Sequence, residues 1–71
     1  MYFYHRIRDL REDSDLNQKD VAQALSITIQ QYSLYERGTR EIPFHHVITL
    51  ARFYNVSIDY IAGLTNNKKV G

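Results

Sequence analysis

There is no cysteine among these 71 residues, which excludes disulfides and any metal site built on thiolates. A chain this short makes one domain near the lower limit for folding without staples, so packing has to supply its stability. Long apolar runs are also missing. Nothing approaches the ~18 consecutive apolar residues of a membrane span. The start, MYFYHRIRDL, is aromatic but breaks into charge at once and does not read as a secretory leader; a soluble cytoplasmic protein is the expectation. Strand signals, internal repeats and linkers are absent as well. Excess charge is slight: the net value of +1 is low for a partner of nucleic acid.

Groups for catalysis are equally sparse. His5, His45 and His46 are the imidazoles. Adjacent histidines on one helix point about 100° apart, and neither has a carboxylate or cysteine at i+4, so no metal is expected. Ser14, Ser26, Ser33 and Ser57 lack any histidine or lysine arrangement that would make a nucleophile. Neither enzyme activity nor a cofactor is expected.

What the chain does contain is apolar residues, 44% of the total with six tyrosines and three phenylalanines, at helical spacing. A first helix is expected from about Phe3 to Asp13, with Phe3, Ile7 and Leu10 inward at i, i+4, i+7. Asn17 is a good N-cap for a second, whose inward stripe is Val21, Ala22 and Leu25. A steep crossing over a short turn leaves room for only a methyl at Ala22. Thr28 caps a third helix, and Tyr32 and Tyr35 continue the buried face. Gly38 stops it. Pro43 stands in the first turn of a fourth, which buries Phe44, Val47, Ile48, Leu50, Ala51 and Tyr54. Asn55 ends it, Ser57 caps a fifth, and Ile58 and Ile61 point inward before Gly63. The pattern predicts an all-α, compact five-helix domain over residues 1–65, with 66–71 a mobile polar tail. Tyr32, Tyr35 and Tyr54 fall on these stripes, so they read as core rather than as platforms for single-stranded nucleic acid; Tyr2, Tyr4 and Tyr60 are less constrained.

Residues 17–38, NQKDVAQALSITIQQYSLYERG, place two short helices around a tight turn and read as a helix-turn-helix. Left outward on the second of them are Ile29, Gln30, Ser33, Leu34 and Arg37. Such a helix fits the major groove of B-DNA, with its first turn closest to the base edges. The Gln30 amide donates and accepts together, matching the N6/N7 edge of adenine. Ile29 and Leu34 are suited to thymine methyl groups or to a partner protein, whereas Gln31 and Ser33 read as ordinary polar surface. Charge is unevenly placed. Asp9, Glu12, Asp13, Asp15 and Asp20 surround the first loop, whereas Arg37, Arg40, His45 and His46 follow the third helix. One acidic and one basic face are expected, and a phosphate responds to the local field.

Residues 3–64 resemble the Cro and phage-repressor (XRE) helix-turn-helix family. The resemblance is carried by Ile7, Leu10 and Arg11, by Leu16-Asn17-Gln18 and Val21-Ala22, and by Tyr35-Glu36-Arg37-Gly38. Leu50-Ala51 and Asn55-Val56-Ser57-Ile58-Asp59-Tyr60-Ile61 complete it. It implies a lambda-repressor-like fold and a sequence-specific double-stranded DNA binder, a transcriptional regulator of the repressor kind. Such a protein acts as a homodimer whose residues 28–37, Thr28 included, enter successive major grooves about 34 Å apart. The resemblance further implies that Asn17, Gln18, Arg37 and Arg40 grip phosphates along the groove edge, beside the positive end of helix two. It also makes Arg11 and Glu36 a buried structural pair, although read alone they are charges for solvent.

Two positions depart from the family pattern. Ser26 stands where glycine usually makes the turn, at a cost typically under ~2 kcal/mol. Tyr32 fills a site usually held by a branched aliphatic residue and is expected to tilt the recognition helix. Ile58, Tyr60, Ile61 and Leu64 offer more apolar surface than so short a helix can bury, which predicts an isologous dimer interface there. Two other readings share the fold: a protein-interaction module without an operator, and the antitoxin of a toxin–antitoxin pair. Both would add a protein partner; none calls for a membrane.

Overall fold

The apolar stripes close into five helices in the computed structural model, which describes residues 4–69. These are α1 (Arg6–Asp13), α2 (Gln18–Leu25), α3 (Ile29–Glu36), α4 (Phe44–Tyr54) and α5 (Ile58–Ala62). No strand occurs among the described residues, so the all-α expectation holds. No helix among them is long and apolar enough to cross a membrane. α2 packs on α3 and α4, and α5 packs on α1 and α4.

One core serves all five helices. Ile7 and Leu10 of α1 meet Val21, Ala22 and Leu25 of α2, Tyr32 and Tyr35 of α3, Val47, Leu50 and Ala51 of α4, and Ile61 of α5. Ile42 and Val56, both outside the helices, are buried with them. Ala22, 1% exposed, belongs to this core on α2, the helix that packs against α3.

The helix ends explain why such short elements hold their places. Each helix closes with the same pair of backbone bonds. A residue of positive φ bonds back to the carbonyl three before it, and the next amide reaches five back, the Schellman geometry. The left-handed residues are Asp15, Ser26, Gly38, Asn55 and Gly63. The longer-reaching amides are Leu16 to Arg11, Ile27 to Ala22, Thr39 to Leu34, Val56 to Ala51 and Leu64 to Asp59, at 2.9–3.1 Å. Leu16, Ile27 and Val56 then fold onto the core, so each turn also supplies a packing residue. At the other ends, Asn17, Thr28 and Ser57 accept from Asp20, Gln31 and Tyr60 amides, satisfying first-turn donors.

Several expectations need correction. α1 begins at Arg6, not near Phe3, since His5 opens it without a side-chain capping bond; the inward role assigned to Phe3 lies outside the described residues. Pro43 is the N-cap of α4, with φ −61° and ψ 147°, rather than its first helical residue. Phe44 is 60% exposed, because it stands at the first turn, beyond the packed stripe of Val47, Leu50, Ala51 and Tyr54. The tail also makes contacts. The Ser57 amide donates to the Lys68 carbonyl at 3.0 Å, and the Arg6 guanidinium holds the Tyr60 carbonyl at 2.8 Å, the Thr65 carbonyl and Asn66 Oδ1.

Candidate nucleic-acid interface

The turn between α2 and α3 fixes what α3 can present. Ser26 takes the left-handed conformation, φ 59° and ψ 40°, that glycine would adopt without cost. Thr28 then restarts the chain as an extended cap, its Oγ1 accepting from the Gln31 amide at 3.1 Å. That cap occupies one acceptor site of the Thr28 hydroxyl. α3 buries Tyr32, Tyr35 and Glu36 and turns the opposite side outward. Gln18, Ile29, Gln30, Ser33, Leu34 and Arg37 together line one open depression of about 370 Å³. Gln30, Ile29 and Arg37 are exposed there, whereas Leu34, expected to be exposed, is half-buried. Its carbonyl accepts from the Thr39 and Arg40 amides, which closes the end of α3. Gln31 is not plain surface either, because its Nε2 donates to the Tyr35 hydroxyl at 3.1 Å.

The flanking residues are placed by the amino end of α2. Asn17 and Asp20 form a reciprocal capping box: Asn17 Oδ1 accepts from the Asp20 amide at 2.9 Å, and Asp20 Oδ2 accepts from the Asn17 amide at 3.0 Å. The cap engages the Asn17 oxygen and leaves its side-chain NH₂ for an anion. Gln18 is half-buried, with Nε2 donating to Glu36 Oε1 at 3.2 Å, so one of its two donors is already engaged. Arg40 is exposed and lies outside the depression.

Behind this surface stands a charged knot. Arg11 Nε lies 2.7 Å from Glu36 Oε2 and Nη2 lies 3.1 Å from Oε1, a two-point grip between planar groups. Arg11 Nη1 also holds the Leu16 carbonyl at 3.0 Å. One guanidinium thus joins α1, the loop before α2 and the end of α3. Burial alone would raise the Glu36 carboxyl, but Arg11, the nearby Tyr32 hydroxyl and Gln18 outweigh it and hold the group below its ordinary 4.5. The bond to Glu36 raises Arg11 in turn. Tyr32 and Tyr54 bring buried hydroxyls with no hydrogen-bond partner of good geometry. Burial first and Glu36 second push both phenols up, Tyr54 to about 12, so both stay neutral.

Elsewhere, the His45 and His46 rings lie 4.2 Å apart, and His46 is 6.1 Å from Tyr35. Among the described residues no three His, Cys, Asp or Glu side chains gather as metal ligands. The residues assigned to a dimer interface separate. Ile61, 1% exposed, is core and has no surface to offer, because α5 is pressed between α1 and α4. Tyr60 is half-buried, with the Arg6 guanidinium carbon 4.3 Å over its ring. Ile58 is half-buried, and Leu64 is 78% exposed.

Sequence reasoning missed the burial of Ile42 and Val56, the Gln18–Glu36 bond and the Arg6 contacts. The first two are loop residues without periodicity. Of the rest, no spacing rule links Gln18 to Glu36 or Arg6 to residues 60–66.

Comparison with known proteins places this geometry. Residues 7–61 match the helix-turn-helix family. The cryptic phage CTXphi transcriptional repressor RstR of Vibrio cholerae is 43% identical over 56 residues, covering 79% of this chain and 50% of that protein. The uncharacterized HTH-type transcriptional regulator YobD of Bacillus subtilis is 35% identical over 65 residues, 92% of this chain and 58% of its own. The HTH-type transcriptional regulator ImmR of the same organism is 34% identical over 58 residues, 82% of this chain and 46% of its own. The chain therefore spans about half the length of the curated relatives it matches. No solved structure matches it. With the match running from α1 into α5 and taking in the α2–turn–α3 unit whole, the chain belongs to the helix-turn-helix family.

Proposed function

We propose that this chain binds double-stranded DNA sequence-specifically and regulates transcription, as a repressor, with residues 28–37 in the major groove. One observation carries the reading. α3 is anchored by a buried face and a buried ion pair, and its outward side gathers Gln30, Ile29, Ser33 and Arg37 around one depression. A rigid helix with an amide, branched apolar groups and a cation at its free side has what base reading requires. In this reading Gln30 reads a base, Ile29 and Leu34 meet thymine methyls, and Thr28 and Ser33 add polar contacts. Asn17, Gln18, Arg37 and Arg40 grip phosphates. Occupying DNA is enough for regulation, so no catalytic step is invoked, and a cytoplasmic site of action follows.

The chain acts as a homodimer, since one motif makes few base contacts and a palindrome doubles them. Leu64 and the half-buried Ile58 and Tyr60 are the surface proposed for the second copy. Selection of bound sequences from a random duplex library tests the whole reading. The expected result is an enriched palindrome with half-sites about one helical turn apart. Recovery of unenriched sequence would overturn it.

A further inference from the structure

A second cleft lies beside the reading face. Arg8 of α1 and Arg37, the C-cap of α3, stand in its walls, with Gln18, Ser33, Glu36 and Thr39 completing an open space of about 710 Å³. It shares Gln18, Ser33 and Arg37 with the depression that holds Gln30. A duplex seated on one therefore runs its backbone past the other. The carboxylate in the cleft is not free to repel an anion, because Arg11 already grips both Glu36 oxygens. The remaining groups are two guanidiniums, two hydroxyls and an amide, which is a donor set for a phosphate.

Arg8 is held only lightly. Its Nε lies 3.5 Å from Glu12 Oε2 one turn along α1, with the side chains 63% and 52% exposed. Exposed pairs of this kind contribute little and are screened by salt. Arg11, a turn away on the same helix, is committed to Glu36 and the Leu16 carbonyl. Among the described residues Arg37 has neither ion pair nor side-chain hydrogen bond.

We propose that Arg8 is a further DNA-contacting residue: it and Arg37 clamp one backbone phosphate in this cleft, and Glu12 competes for Arg8 in the free protein. The inference rests on the DNA reading above and adds a grip from α1, outside the helix-turn-helix. Binding exchanges a weak exposed pair for a charge-assisted, two-point bond to phosphate oxygens.

The test titrates a labelled duplex of mixed sequence with wild-type protein, R8A, R8K, E12Q and R8A/E12Q over a salt series. R8A should weaken binding about tenfold at low salt and reduce the slope of log K against log salt by about 0.9, one phosphate contact. R8K should keep the slope while losing part of the affinity, because the charge stays and the fork goes. E12Q should tighten binding about threefold and do nothing in the R8A background. A wild-type slope in R8A, or equal gains from E12Q with and without Arg8, overturns the clamp while leaving the DNA reading standing. Wild-type protein that binds no duplex overturns both.

Discussion

Two arginines of α1, Arg6 and Arg11, tie down opposite ends of the domain by different chemistry. Arg11 meets a buried carboxylate at two points and locks α1 to α3. Arg6 meets backbone carbonyls of Tyr60 and Thr65, the Asn66 side chain and the face of Tyr60. Its knot is partly in water; that of Arg11 is nearly dry. The difference decides what each can do. A buried ion pair is costly to break, because the surviving charge has no water to turn to. A half-exposed cation on carbonyls can let go and be hydrated. The Arg11 end is therefore the firmer of the two and stands behind α3, whereas the Arg6 end is expected to open first.

The strongest way to break this comparison is at Glu36. Glu36→Ala should cost ~3–5 kcal/mol by leaving Arg11 buried and unpaired, measured by urea unfolding. The same pair sets an acid limit. Because Glu36 is held below its ordinary 4.5 in the folded protein, its stabilisation is complete above that value and is lost as pH falls below it. His46, lowered from 6.5 by burial and by His45, adds a separate loss that begins higher, as pH falls below 6.5. Glu36→Gln should remove the first of these and keep the second. If both persist unchanged, the buried pair is not the source of the acid limit.

Arg6→Ala should cost less, ~1–2 kcal/mol. It should speed amide exchange at Ser57, whose partner is the Lys68 carbonyl, while α1 to α4 stay protected. A loss as large as that of Glu36→Ala would erase the distinction between the two ends. The smallest effect is expected at Tyr32. Its hydroxyl is buried beside Glu36 without a well-formed bond, so Tyr32→Phe should change stability by less than about 1 kcal/mol in either direction. A larger loss would mean that the support the hydroxyl gives Glu36 outweighs the cost of burying it.

The two ends also differ in how legible they were. The family motif carries Arg11 and Glu36 together, and the capping residues Asn17, Thr28 and Ser57 announce the starts of α2, α3 and α5. Apolar periodicity gave the core of every helix, and the outward face of α3 followed by subtraction. Arg6 left no trace, because carbonyls are present at every position and no residue type marks the ones it holds. Asp15 closes α1 in a left-handed turn without the glycine that marks such a stop at Gly38. Phe44 and Ile61 misled for the same reason: periodicity gives the face of a helix, but not where along its length packing ends or which apolar residue remains for a partner.

The central claim, that Gln30 of α3 reads a base while Arg37 at its C-cap grips phosphate, is tested most directly by Gln30→Ala and Arg37→Ala on single-base variants of the selected operator. Gln30→Ala should abolish preference at one base position, at ~1–3 kcal/mol, and leave the others intact. Arg37→Ala should weaken every duplex alike and flatten the salt dependence. Identical profiles for the two variants, or an unchanged base preference without Gln30, would contradict it.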